Sequence, residues 1–216
     1  MQDRIYLDWN ATTPLRPEAR TAMAAAWDLC GNPSSVHAEG RRARRLIEDA
    51  RAAVAKAVGA LPRNVVFTSG GTEANALALA PGLRGALGQP IERLLMSAVE
   101  HASILAGGRF PAEAVAKVGV TRLGLVDLGH LRELLSGGPP PLVSIMAANN
   151  ETGALQPVTE AAETVHAAGG LMHVDAVQVL GKININIKEI GADLVSISAH
   201  KLGGPKGAAA LLIRRG

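Results

Sequence analysis

The sequence predicts an α/β fold, a mostly parallel sheet of about seven strands with helices on both faces. Two observations carry the prediction. Apolar runs bounded by Gly, Pro, Asn or Ser recur along the chain, and stretches of helical character separate them. The composition is globular: 48% of the 216 residues are hydrophobic and 19% charged, enough apolar surface for a sizeable core. Aromatic residues make up only 2%, which leaves Ala, Val, Leu and Ile to fill that core, while 24 glycines supply tight turns and close packing. No repeat, low-complexity segment or linker divides the chain.

In chain order, helices are expected over Pro17–Leu29 and Ser35–Val58, then a strand at Val65–Thr68 and a helix at Thr72–Ala80. Strands follow at Arg93–Ser97 and Ala116–Val120, a helix at Asp127–Leu135, and a strand at Leu142–Ala147 after the loop "SGGPPP". A helix over Val158–Ala167 precedes strands at Leu171–Val174, Leu194–Ser198 and Ala209–Ile213. The last strand follows only a short Gly/Pro break, which admits an antiparallel course. Thr72 is placed as the N-cap of its helix, with Glu73 in the first turn. In "GRRARRLIEDARAAVAK", Arg44–Glu48 and Arg45–Asp49 are opposite charges at i, i+4, so the stretch reads as a solvated helix face and not as a nucleic-acid site. The net charge of +3 is small and no charged tail is present. The single cysteine, Cys30, forms no internal disulfide. Charges at Asp3, Arg4 and Asp8 interrupt any signal-peptide core, and no uncharged apolar run nears the ~20 residues of a membrane helix. A cytoplasmic protein without membrane contact is expected.

In open parallel sheets, ligands sit outside the carboxyl ends of the strands. Polar residues gather there: Ser69, Gly70, Gly71 and Thr72, then Glu100 and His101, then Asn149 and Asn150. Asp175 and Gln178 follow "LMHV", and Ser198, His200 and Lys201 follow "LVSI". The turn "TSGGTEANA" offers free N–H groups at a helix start, where glycines let a phosphate approach closely. It is neither a Walker loop nor Gly-x-Gly-x-x-Gly. A desolvated Lys201 near other cations loses its proton readily enough for Schiff-base chemistry. Asp175 ends an apolar strand and needs a cationic or hydrogen-bonding partner, which a protonated pyridine nitrogen provides. Gln178 reaches a neighbouring ring oxygen, and His101 lies against a flat ring and shuttles protons. Phosphate donors, an acid, an amine and an imidazole together describe a site for pyridoxal 5'-phosphate. Plainer readings stay open for each residue alone: a solvated Lys201, a structural His101, a salt-bridged Asp175. His173 and Asp175 share a strand face, which with His101 also allows a metal site.

These residues lie in segments that resemble the cysteine desulfurases, within the class V aminotransferase group of fold type I pyridoxal-phosphate enzymes. The matching segments run in order through "IYLDWNATTP", "GNPSSVHAEG", "VVFTSGGTEANALA", "EHASI", "VSIMAANNETGALQP", "HVDAVQVLGK" and "DLVSISAHKLGGPKGAAALLIRR". The resemblance implies the large domain of that fold over 1–216, including an N-terminal segment. It implies that Lys201 carries the cofactor covalently and that His101 stacks on it as acid and base. Asp175 would pair with the ring nitrogen and Gln178 would meet the ring oxygen. Gly71, Thr72, Ser198 and His200 would hold the phosphate, with Asn150 beside cofactor and substrate carboxylate. The reaction implied is transfer of sulfur from L-cysteine to an enzyme cysteine as a persulfide, leaving L-alanine. The sulfur would then pass to an acceptor protein for iron–sulfur clusters or thio-cofactors, and the enzyme would be a homodimer.

Some residues depart from the family pattern. Trp9 stands where Tyr or a polar residue is usual, and Ala199 where Gly is common; neither is a group the cofactor needs. In such enzymes the sulfur-accepting cysteine and a carboxylate-binding arginine lie in a smaller C-terminal domain. Cys30 does not align with that nucleophile, so the expectation is a partial chain, inactive alone, that retains the cofactor-binding half. Two other functions are compatible with these residues: a selenocysteine lyase or related lyase of the same fold, and a non-catalytic cofactor-binding remnant.

Overall fold

Five neighbouring strands run parallel, and two more close one end of the same sheet. The computed structural model describes residues 4–85 and 88–214; the rest of the expected 1–216 domain, residues 1–3, 86–87 and 215–216, lies outside the described residues. The strands are β1 (Val65–Thr68), β2 (Arg93–Ser97), β3 (Val115–Val118), β4 (Pro141–Met146), β5 (Leu171–Asp175), β6 (Leu194–Ser198) and β7 (Ala209–Ile213). Their spatial order is β1-β7-β6-β5-β4-β2-β3. Pairing is parallel from β3 through β6, while β7 runs antiparallel to both β6 and β1. β1 therefore points with the parallel block, and every strand except β7 ends at one edge.

Helices α1 (Pro17–Trp27), α2 (Ala38–Ala57), α3 (Gly71–Ala78), α4 (Ala102–Leu105), α5 (Leu128–Leu135) and α6 (Val158–Ala167) complete the fold. Each central strand sends alternate side chains to two cores, as the two-residue period of a pleat requires. Leu95, Val143, Val174 and Val195 join the core under α5 and α6. Leu94, Leu142, Leu194 and Leu211 join Ala74 and Ala78 of α3 on the other face. Toward the carboxyl edge that second face turns polar, with Ser144, His173, Asp175, Ser196 and Ser198 all buried. None of the six helices is long and apolar enough to cross a membrane among the described residues.

The elements stand near their expected places, with informative differences. α2 begins at Ala38 and not Ser35, because Ser35 closes a turn on Asn32 and His37 is the N-cap, accepting from Gly40 N at 3.4 Å. Thr72 is not an N-cap. Gly70 holds that position without a side-chain cap, and the Glu73 carboxylate turns back to Ser69 N (2.6 Å) and Oγ (2.7 Å). β3 ends at Val118, since Val120 pairs instead with Val126 in an isolated bridge. β4 and β5 shift by one residue from the expected bounds, and α4 is a single turn too short for a periodic signal. On α2 the ion pairs are Arg42–Glu39 (3.8 Å) and Arg51–Glu48 (3.2 Å), both i, i+3, and not the expected Arg44–Glu48 and Arg45–Asp49. Arg51 is drawn to β1, where its guanidinium lies 5.0 Å over Phe67.

Gly108 locks the end of α3 against the loop after α4. Its φ is +60°, and a Cβ would fall 2.3 Å from the Leu79 carbonyl oxygen. Gly124 has a similar φ of +73° but open space around it. Gly124→Ala is expected to cost about 1 kcal/mol of left-handed strain, and Gly108→Ala at least about 3 kcal/mol. Urea denaturation midpoints of the two variants measure the difference; equal losses would show that the loop yields freely.

Candidate active site

The carboxyl edge of the sheet holds a cavity of about 400 Å³, a volume typical of small-molecule sites. The nine residues given a cofactor role line it, Gly71, Thr72, His101, Asn150, Asp175, Gln178, Ser198, His200 and Lys201, while Ser69, Gly70, Glu100 and Asn149, gathered with them at the strand ends, do not. They come from the ends of β1, β2, β4, β5 and β6, which the parallel register brings side by side.

Asp175 is buried at the end of β5. It is 6% exposed and forms no ion pair among the described residues. Its Oδ1 accepts from Val177 N at 3.0 Å and its Oδ2 from Asn75 Nδ2 at 2.9 Å. Burial raises its pKa, opposed by those hydrogen bonds and then by His101 and Lys201. The amide of Asn75 also donates to Ser103 Oγ at 2.9 Å. Ser103 Oγ lies 2.8 Å from His101 Nδ1, to which Ser103 N also donates at 3.2 Å. The Ser103 backbone N–H can only donate, so Nδ1 accepts from it, and the Ser103 hydroxyl is then the donor in its own contact with Nδ1. That fixes Nδ1 as the acceptor and leaves the proton on Nε2.

His200 and Lys201 form a tight turn after β6. The carbonyl of His200 accepts from Thr13 N (2.8 Å) and Thr13 Oγ1 (3.0 Å), so the N-terminal strap crosses the mouth of the site. Burial lowers the His200 pKa, reinforced by the charges of Lys201 and Lys206. Burial is also the first cause lowering the Lys201 pKa, with Lys182 second, against Asp175, Asp8 and Glu151. Lys201 Nζ donates to the Asn10 carbonyl, which also accepts from Gln178 Nε2 at 2.8 Å. Asn150 presents its carbonyl to Asn10 Nδ2 at 3.1 Å. Its neighbour Asn149 is spent on the loop, accepting from Glu151 N and Thr152 N at 2.9 Å each.

The residues present fit pyridoxal 5'-phosphate. Among the described residues, Ser198 Oγ is buried with no hydrogen-bond partner, and Asp175 is a buried carboxylate without an ion-pair cation. No side chain caps α3, so its first-turn N–H groups stay free for an anion. At Gly71 even a Cβ would come 3.1 Å from Val177 and 3.6 Å from Ser198. The metal alternative fails on geometry. Both nitrogens of His173 are engaged, Nδ1 with Ser144 Oγ at 2.8 Å and Nε2 with Ser196 Oγ at 2.9 Å. Burial holds its pKa down at about 3, so this imidazole is a neutral strut of the sheet. Cys30 is exposed and lines no part of the cavity.

Six polar residues about the site have no site role from sequence: Asp8, Asn10, Asn75, Ser103, Glu151 and Lys182. Glu100 was placed at a strand end without a function. Its Oε1 accepts from Met146 N, whose residue pairs with Asp175 in the β4–β5 register, and its Oε2 is buried without a partner. Burial and then the Asp175 charge push its pKa well up. Folding therefore keeps a proton that the unfolded chain releases above its ordinary value of 4.5, so this group's stabilising contribution falls as pH rises. Thermal unfolding followed by circular dichroism should show the Glu100→Gln variant gaining on the parent from about pH 5 to 8, by at most about 1.4 kcal/mol per pH unit. Parallel pH profiles would mean that Glu100 is ionised in the folded protein.

Known proteins share this sequence pattern and fold. The family model described as aminotransferase class-V matches residues 5–216. Cysteine desulfurase IscS of Dictyoglomus turgidum is 43% identical, over 100% of this chain and 55% of its own length. Human selenocysteine lyase is 36% identical, over 94% of this chain and 53% of its own. The X-ray structure of a NifS-like protein from Rickettsia africae superposes with a TM-score of 0.86 at 39% identity, covering 97% of this chain and 57% of that one. The chain thus spans about half the length of the curated relatives it matches. On the match of nearly its whole length, this chain belongs to the class-V aminotransferase family.

Proposed function

We propose that these residues form the N-terminal segment and cofactor-binding domain of a pyridoxal 5'-phosphate-dependent cysteine desulfurase. The observation that carries the reading is the shared cavity: a buried carboxylate without a cation, Asp175, and an amine of lowered pKa, Lys201, line the same 400 Å³. When bound, pyridoxal phosphate supplies an aldehyde for amine capture and a protonated ring that withdraws electrons from the substrate.

The chain's own groups divide the remaining work. Lys201 offers its free amine to the aldehyde. Asp175 keeps the ring nitrogen protonated, while Asn75 and Val177 N hold its two oxygens in place. His101 faces the cavity with a proton on Nε2, held there by Ser103, and stacks on the ring. Ser198 Oγ, His200 and the first turn of α3 at Gly71 and Thr72 hold the phosphate; Gln178 meets the ring oxygen after yielding its contact with Asn10. Asn150 lies at the substrate's carboxylate.

L-Cysteine as substrate, with L-alanine as the product left behind, is supported by the desulfurase relatives at up to 43% identity. The resemblance to human selenocysteine lyase supports a second reading, in which selenocysteine takes the place of cysteine. Receipt of the sulfur as a persulfide is not assigned to Cys30, which lies away from the cavity. Delivery to an acceptor protein for iron–sulfur clusters belongs to the same proposal, as does a cytoplasmic location. So does a homodimer, supported by apolar side chains left open on the N-terminal region, Trp27 at 77% and Val36 at 87% exposure.

Incubation with pyridoxal phosphate, borohydride reduction and peptide mass spectrometry test the reading. The adduct is expected on Lys201 and is expected to vanish in Lys201→Ala. A folded protein with no adduct at Lys201, or with label spread over surface lysines, would overturn it.

A further inference from the structure

Lys182 has no place in the scheme above, yet it ends in the same hydrogen-bond network as Lys201. It follows β5 in the turn that begins with Ala176, four residues after Gln178. Its Nζ donates to Gln178 Oε1 at 2.7 Å and to Asn10 Oδ1 at 3.0 Å. Two oxygen acceptors favour the ammonium form, while partial burial draws the Lys182 pKa down from its ordinary value. The backbone carbonyl of the same Asn10 accepts from Lys201 Nζ. One residue of the N-terminal strap thus bridges two amines, by its side chain to Lys182 and by its main chain to Lys201. Asn10 is itself fixed, because its Nδ2 donates to Asn150 O at 3.1 Å and the strap beyond it is tied to His200 O.

We propose that Lys182 is a positioning residue for Lys201: its ammonium, pinned beside Lys201 on Asn10, keeps the Lys201 amine in its uncharged, nucleophilic form. The charges that face Lys201 explain why such a device is needed. Asp175 at the end of β5, Asp8 on the strap and Glu151 after β4 all favour the ammonium of Lys201. Against those carboxylates stands the charge of Lys182. His200, next in sequence, is held toward its neutral form and adds little charge. Burial is the first cause that lowers the Lys201 pKa and the Lys182 charge the second; without Lys182, the acids that suit a cationic ring would draw the amine back toward its protonated form. The inference rests on the reading of Lys201 as the reactive amine, and its test requires no cofactor.

Brief pulses of acetic anhydride across about pH 6 to 10, with Lys201 acetylation quantified by peptide mass spectrometry, report the fraction of free amine. The comparison uses the full 216-residue chain and its Lys182→Met, Lys182→Gln and Lys182→Arg variants. The Met and Gln variants are expected to label Lys201 about three- to tenfold more slowly at neutral pH, with the profile displaced to higher pH. The Arg variant is expected to follow the parent. Gln can still donate to Asn10 but carries no charge. Parent-like labelling in Gln would therefore reduce Lys182 to a structural anchor and overturn the proposal, as would superimposable profiles for all four proteins. Failure of pyridoxal phosphate to modify Lys201 would count against the proposed function and leave this measurement intact.

Discussion

A carboxylate buried at the end of a parallel strand, with no cation against it, is the constraint on which the site depends. Burying a lone charge is costly, and the protein reduces that cost locally. Asp175 receives one hydrogen bond from its own turn at Val177 and one from Asn75 on α3. The second bond ties α3 to the end of β5. It also continues through Ser103 to His101. Burial first, and then the Asp175 charge, push the pKa of Glu100, close behind, well up. A cationic ring is what this half-neutralised carboxylate lacks.

The second constraint is the strap over residues 8–13. It forms no helix or strand, and its order comes from hydrogen bonds to the sheet's carboxyl edge. Thr12 and Thr13 hold the turn that carries Lys201, and Asn10 gathers Lys182, Lys201, Gln178 and Asn150. Amine, acid and strap are thus coupled: moving Asn10 would move the partners of both lysines.

Much of this was legible in the sequence because a parallel sheet puts its ligand residues directly after its strands. "LMHVD" and "LVSISAHK" each show an apolar run ending in a charged group, and both landed in the cavity. The antiparallel final strand was foreshadowed by its short connection. Less visible were residues whose meaning comes from distant partners. Asn10 and Lys201 are separated by 191 positions, and Asn75 meets Asp175 across 100. Asn75 stands in an alanine-rich helix that offers no hint of a polar face. Lys182 reads as a solvated lysine, and Thr72 has the right chemistry for a cap two residues too late. Propensity names the element; the tertiary partner decides what each polar group does.

The central claim is that Asp175 exists to meet a protonated ring nitrogen. Calorimetric titration with pyridoxal 5'-phosphate and with its deaza analogue, which lacks that nitrogen, tests it directly in the parent and in Asp175→Asn. The parent is expected to prefer the natural cofactor by about tenfold or more, the worth of a charge-assisted hydrogen bond, and the variant to lose that preference. Equal affinity for both compounds in the parent, or a preference that survives in Asp175→Asn, would contradict it.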